Sequence, residues 1–167
     1  MKRLPMLFLL LIIIGCATLP VQKEVAQEVI PDARNYTTEI LKLVYGSPMM
    51  ESFDSDREDV ALTGLSLEND YMFMTAIVAT QCVGNELVSM LFISYVSGDE
   101  TFWAVDYGLD GVWDNSEISY DGGGLESFDD AIIRQVIDEG FMPLFLDLIE
   151  NGRKHEVDFK FNDVMEL

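Results

Sequence analysis

The chain has 167 residues, 30 acidic and 10 basic side chains, a net charge of −20 at neutral pH and 49% hydrophobic residues. Such a charge excludes nucleic acid as a partner and repels anionic lipid headgroups. The apolar content, gathered in stretches, excludes a disordered chain, and the length is that of one domain with a real core.

The first sixteen residues form a unit of their own. Lys2 and Arg3 precede an uncharged run over residues 4–14, interrupted only by Pro5. The run has the roughly 7–15 residues of a signal-peptide core and falls short of the ~20 that a spanning helix needs. It ends in Ile13-Ile14-Gly15-Cys16. These four residues resemble the lipobox of bacterial lipoproteins, in which a branched apolar and a small residue precede the cysteine. The resemblance implies a diacylglycerol on the Cys16 thiol, cleavage before Cys16 and acylation of the new amino group, with palmitate as a typical chain. It also implies an extracytoplasmic, lipid-anchored protein of the cell envelope. Ala17 after the cysteine points to the outer membrane, facing the periplasm, if the host is Gram-negative. The alternative is an ordinary secretory signal with a chance cysteine, or an uncleaved anchor. The expected organisation is a signal peptide at 1–15, a lipidated tether at 16–31 and one folded domain at 32–167. Loss of Lys2 and Arg3 takes the net charge from −20 to −22. Once Cys16 is acylated, Cys82 has no disulfide partner, and its apolar neighbours suit a small core residue.

Along the domain, Pro31 opens a helix over residues 32–45, with Ala33, Tyr36, Ile40, Leu41 and Val44 at helical spacing and Gly46 and Pro48 as the stop. Residues 49–59 read as an acidic loop. Residues 71–80 and 87–96 are β-branched and aromatic enough for strands, joined by a hairpin at Gly84-Asn85. Both strands are apolar on both faces, so helices or a partner should cover the sheet. Residues 101–106 make a third strand. Ser127-Phe128-Asp129-Asp130 resembles a capping box. It starts a helix that buries Phe128, Ile132, Ile133 and Val136 and ends at Gly140. Pro143 starts a second helix through Phe145, Leu146 and Ile149, which stops at Asn151-Gly152. Residues 156–162 alternate cleanly, Val157, Phe159 and Phe161 against Glu156, Asp158, Lys160 and Asn162, as a strand with one wet face. The fold class expected is α+β: a small antiparallel sheet of about four strands packed against helices.

One loop carries chemistry. Residues 106–117 read Asp-Tyr-Gly-Leu-Asp-Gly-Val-Trp-Asp-Asn-Ser-Glu. They resemble a twelve-residue calcium loop of the EF-hand type, with Asp106, Asp110, Asp114 and Glu117 at positions 1, 5, 9 and 12. Gly111 falls at the sharp turn, and Val112 falls where a backbone carbonyl is the ligand. A hard cation wants six to eight oxygens, which alternate residues of a tight loop can turn inward. Gly108 stands at position 3, so water would have to supply that ligand. The entering segment is a strand, so the loop is closer to the isolated Asp-x-x-x-Asp-Gly-x-x-Asp loops of extracellular proteins than to a helix-flanked pair. The resemblance implies Ca²⁺ in a structural role. The same residues also read as an acidic turn, since Asp-Gly is a favoured hairpin dipeptide.

No other constellation stands out. His155 is the single histidine, without a Gly-x-Ser-x-Gly elbow or a His/Cys cluster, and reads as a strand-edge residue. Gly122-Gly123-Gly124 lacks the lysine of a phosphate cradle. The function expected is therefore a non-enzymatic, membrane-anchored module that binds a protein partner or helps assemble an envelope complex. The rival is a cell-envelope hydrolase using a carboxylate pair.

Overall fold

Three long runs rich in β-branched and aromatic residues follow one another with turns of two residues, and such runs pair most simply with their sequence neighbours. The structure, a computed structural model, describes residues 34–55, 57–119 and 129–156. Cys16, the signal peptide at 1–15, the tether at 16–31, Gly122-Gly123-Gly124, Ser127, Phe128 and all but the first residue of the 156–162 strand lie outside the described residues.

The strands form an antiparallel meander in the order β1 (Glu51–Phe53), β2 (Val60–Glu68), β3 (Phe73–Val83), β4 (Glu86–Ser97), β5 (Glu100–Tyr107) and β6 (Asn115–Ser119). A two-residue strand, β7 (Arg153–Lys154), pairs with Leu67 and Glu68 of β2. Beside β2, β1 and β7 share the outer edge and β3 takes the other. The fold is α+β, as expected, but the sheet has seven strands rather than about four. β3, β4 and β5 fall where sequence placed strands, whereas β1 lies in the expected acidic loop and β6 takes the end of the expected calcium loop. β2 was not foreseen. Its apolar residues sit at 60 and 62, then at 65 and 67, so the alternation changes phase at Gly64 and hides the strand.

The helices are α1 (Tyr36–Gly46), α2 (Asp130–Val136) and α3 (Met142–Asn151). Asn35 caps α1 by accepting the Thr38 amide at 2.9 Å, and Asp129 caps α2 by accepting the Ile132 amide at 3.0 Å. Gly140 does not end α2. A π-turn, Ile137–Phe141, joins it to α3, and the Met142 amide reaches back five residues to the Ile137 carbonyl. Pro143 has no amide to donate and its ring crowds the carbonyl four residues back, so a widened turn accommodates it. Within α2, Ile133 faces the core, while Ile132 is exposed.

Strand register sorts side chains onto two faces. On one, Leu65, Leu67, Met74, Ala76, Val78, Leu91, Ile93, Phe102 and Ile118 meet Ile40 and Val44 of α1 and Phe141, Phe145 and Leu148 of the C-terminal helices. Phe141 stacks on Phe145 at 5.1 Å and tilts against Phe102. On the other face Val60, Leu62, Ile77, Ala79, Met90, Phe92 and Val105 form a second buried cluster, all strand residues. The two-faced apolarity of β3 and β4 thus corresponds to two cores, one on each side of the sheet.

Candidate functional site

β5 delivers Asp106 to the helix-facing side of the sheet and then turns into the 108–114 loop. Gly108, Leu109 and Gly111 all take positive φ there, 86°, 59° and 89°. The loop closes around the Asp106 carboxylate, which is fully buried. Its Oδ2 accepts the Thr37 hydroxyl at 2.6 Å and the Gly111 amide at 2.9 Å, and its Oδ1 accepts the Asp110 amide at 3.2 Å. Burial pushes the Asp106 carboxyl above its ordinary pKa, with the Asp110 charge adding to this, while the Thr37 hydroxyl and the two amides pull it back.

The other carboxylates of the loop are used in the same way. Asp110 accepts the Val112 amide at 2.8 Å, and Asp114 accepts the Tyr107 amide at 2.7 Å. Helix α2 then clamps the loop from outside. Asp130 accepts the Trp113 amide at 2.9 Å and holds Arg134 at 2.7 Å. Arg134 in turn donates to the carbonyls of Gly111 and Arg34. Arg34 is paired with Glu39 and Asp138, and its guanidinium holds the Glu39 carboxyl below its usual range. One loop therefore ties β5 and β6 to the start of α1 and to α2.

The structure brings Asp106, Asp110, Val112 and Asp114 into this loop and places Glu117 elsewhere. Glu117 pairs with Trp103 across β5 and β6 and accepts its indole N–H at 3.1 Å. Trp103 packs on the second cluster, so Glu117 and Asp106 lie on opposite faces of the sheet. Among the described residues no group of three or more His, Cys, Asp or Glu side chains is arranged to hold a metal ion. As described, the loop's carboxylates act as acceptors for backbone amides that the tight turn leaves without strand partners.

A second cluster went unrecognised in the sequence. An open cleft of about 390 Å³ is lined by Glu68, Asp70, Tyr71 and Arg153, with Asn151 and Gly152 closing one side. Arg153 binds Glu68 at 2.9 Å and Asp70 at 3.1 Å. The His155 Nδ1 meets the other Glu68 oxygen, and its ring stacks on Phe73 at 4.7 Å. The His155 amide bonds the Ser66 carbonyl at 2.9 Å, prolonging the β7 pairing, so His155 stands at a strand edge. His155 first, then Arg153, holds the Glu68 carboxyl below its ordinary range. A general acid needs the reverse shift, so Glu68 is displaced in the opposite sense to the acid of a glycosidase site. Only the basic run Arg153-Lys154-His155 in so acidic a chain could have hinted at the cluster.

No described helix is long and apolar enough to cross a membrane. No family model matches the chain, and neither a curated protein nor a solved structure matches it significantly.

Proposed function

We propose that the chain is a lipid-anchored, extracytoplasmic module of the cell envelope, non-enzymatic, which binds a protein partner or helps assemble a complex at the membrane. The observation that carries this reading is the run from Lys2 to Cys16, with its short apolar core and the Ile13-Ile14-Gly15-Cys16 ending. The domain's chemistry supports it. The single histidine and the carboxylates of the two clusters described are spent on holding strands, loop and helices together, an arrangement suited to a rigid scaffold. The test is intact mass and membrane fractionation of the chain expressed in a bacterium. The expected product lacks residues 1–15, carries acyl mass on Cys16 and sediments with membranes. Cys16→Ser should carry no acyl mass and keep its leader. A wild-type chain that is cleaved but acyl-free sinks the reading.

Calcium at residues 106–117 is the second reading, favoured by Gly111, whose φ of 89° supplies the sharp turn that the resemblance requires. An ion there would be held by Asp110, Asp114 and loop carbonyls such as that of Val112, with Glu117 joining only after the start of β6 detaches. The expected result is a calcium-specific rise in the melting midpoint of the metal-free protein at ~1 mM, roughly 5–10 °C for a site near 10 μM, lost in Asp110→Ala. An equal rise with magnesium, or none, removes calcium from the account.

A further inference from the structure

The β3–β4 ribbon runs past its neighbours at one end of the sheet. β2 begins opposite Gln81 and β5 ends opposite Met90, so residues 82–87 project beyond both, with Val88 at their base, level with the start of β2. This tip is apolar on both faces. Val83, Leu87 and Val88 are 53%, 46% and 47% exposed, and Glu86 is the sole charged residue in the segment. Tyr107 and Val112, also exposed, stand at the same end. Half of the large apolar residues exposed among those described are therefore gathered there, a pattern that marks a contact surface.

The end carrying the tip is also where the N-terminal segment meets the domain. α1 starts against the 108–114 loop, with Thr37 bonded to Asp106 and the Asn35 side chain 3.0 Å from where a Gly111 Cβ would stand. Arg34 follows Cys16 by 18 residues, a stretch that reaches at most about 60 Å fully extended. Such a leash leaves surface chemistry to decide which end of the domain turns to the bilayer. Both ends carry acids, Glu58, Asp59, Asp110 and Asp114 around the tip and Glu68, Asp70, Asp99 and Glu100 at the opposite end, so the difference between them lies in the apolar ribbon that projects at one end alone.

We propose that the β3–β4 tip, residues 82–88, sits in the interfacial layer of the bilayer that carries the lipid anchor, among zwitterionic headgroups. This rests on the lipoprotein reading. Three aliphatic side chains bind a bilayer weakly from solution, but a covalent tether raises the local concentration of lipid enough for weak insertion to persist. The chain's −20 charge selects neutral over anionic lipid.

The experiment uses mature protein reconstituted in phosphatidylcholine vesicles, in a Cys82→Ser background, with an environment-sensitive dye on Asn85→Cys or, at the other end, on Asp99→Cys. The tip dye should shift to the blue and be quenched at least twofold by lipids bearing a quencher below the headgroup, whereas the Asp99→Cys dye should not respond. Adding Leu87→Asp and Val88→Asp, both at exposed positions, should abolish the tip response with the circular dichroism unchanged. An unquenched tip, or equal quenching at both ends, overturns the proposal. A blue shift without lipid quenching, accompanied by doubled mass in sedimentation, overturns it in favour of a tip-to-tip contact with a second copy. Intact mass of the same preparation separates the failures: an acyl-free Cys16 removes the anchor and with it this proposal, whereas an acylated chain with an unquenched tip removes the proposal alone.

Discussion

Asp106 shows how a single side chain can look like a ligand and act as a strut. A carboxylate at the end of β5 that is fully buried must find donors, and it finds a hydroxyl from α1 and two amides from its own loop. Asp106→Ala should leave those three donors unpaired and cost about 2–3 kcal/mol, read from denaturant unfolding. Asp106→Asn keeps the shape and one acceptor, and it isolates the charge. The folded pKa of Asp106 lies above its unfolded value, because burial outweighs the bonds. Ionisation therefore opposes folding above the folded pKa, and the opposition fades as pH falls through that value towards the unfolded one, roughly 3.9. Wild type should accordingly gain stability relative to Asp106→Asn between pH 7 and pH 4. Comparing the two proteins cancels Glu39, Asp59 and Glu68, whose lowered pKa values act in the opposite sense and lose their contribution on acidification. A relative loss for wild type would mean that Thr37 and Gly111 outweigh desolvation.

At the scale of elements, Gly64 in β2 is where side-chain space runs out. A Cβ there would lie 2.2 Å from the Ala76 carbonyl oxygen and 2.8 Å from the Ile77 Cα. Both atoms are backbone of the paired strand, which cannot step aside without disturbing the register of β3. Gly64→Ala should cost about 3 kcal/mol or more, a fall of roughly 10 °C in Tm by calorimetry. A change under 2 °C would show that β2 and β3 can separate locally at little cost. The same glycine explains what sequence could and could not reveal. β3, β4 and β5 were legible because long β-branched runs separated by tight turns have few other solutions. α1 was legible from the spacing of Tyr36, Ile40 and Val44. β2 has no steady alternation, because its two halves feed different cores. The junction of α2 and α3 was misjudged because Gly140 ordinarily ends a helix, whereas here Pro143 widens the turn without breaking it. The 106–117 pattern placed the turn at Gly111 correctly. It could not foresee that Glu117 would enter β6, where strand alternation alone decides its face. Nor could single-sequence reading pair His155 with Glu68, which lies 87 residues earlier.

For the whole molecule, charge is the dominant long-range force. Thirty acidic groups against ten basic ones repel one another at every separation within a Debye length. The described ion pairs, such as Arg57 with Asp59 and Lys154 with Glu51, sit at the surface, where solvent screening leaves each with little net effect. Repulsion among the unmatched carboxylates therefore outweighs them. Raising sodium chloride from ~0.02 to ~0.5 M shortens the Debye length from about 20 Å to about 4 Å. Tm should then rise by several degrees, most steeply in the lower half of that range. Potassium should match sodium, since screening depends on ionic strength and not on fit. That separates this response from any calcium effect at the 106–117 loop, which would saturate near a dissociation constant and vanish in Asp110→Ala. A Tm that falls with salt would reverse the balance. It would mean that pairs such as Arg34 with Glu39, or Arg153 with Glu68, hold the domain more strongly than its net charge strains it.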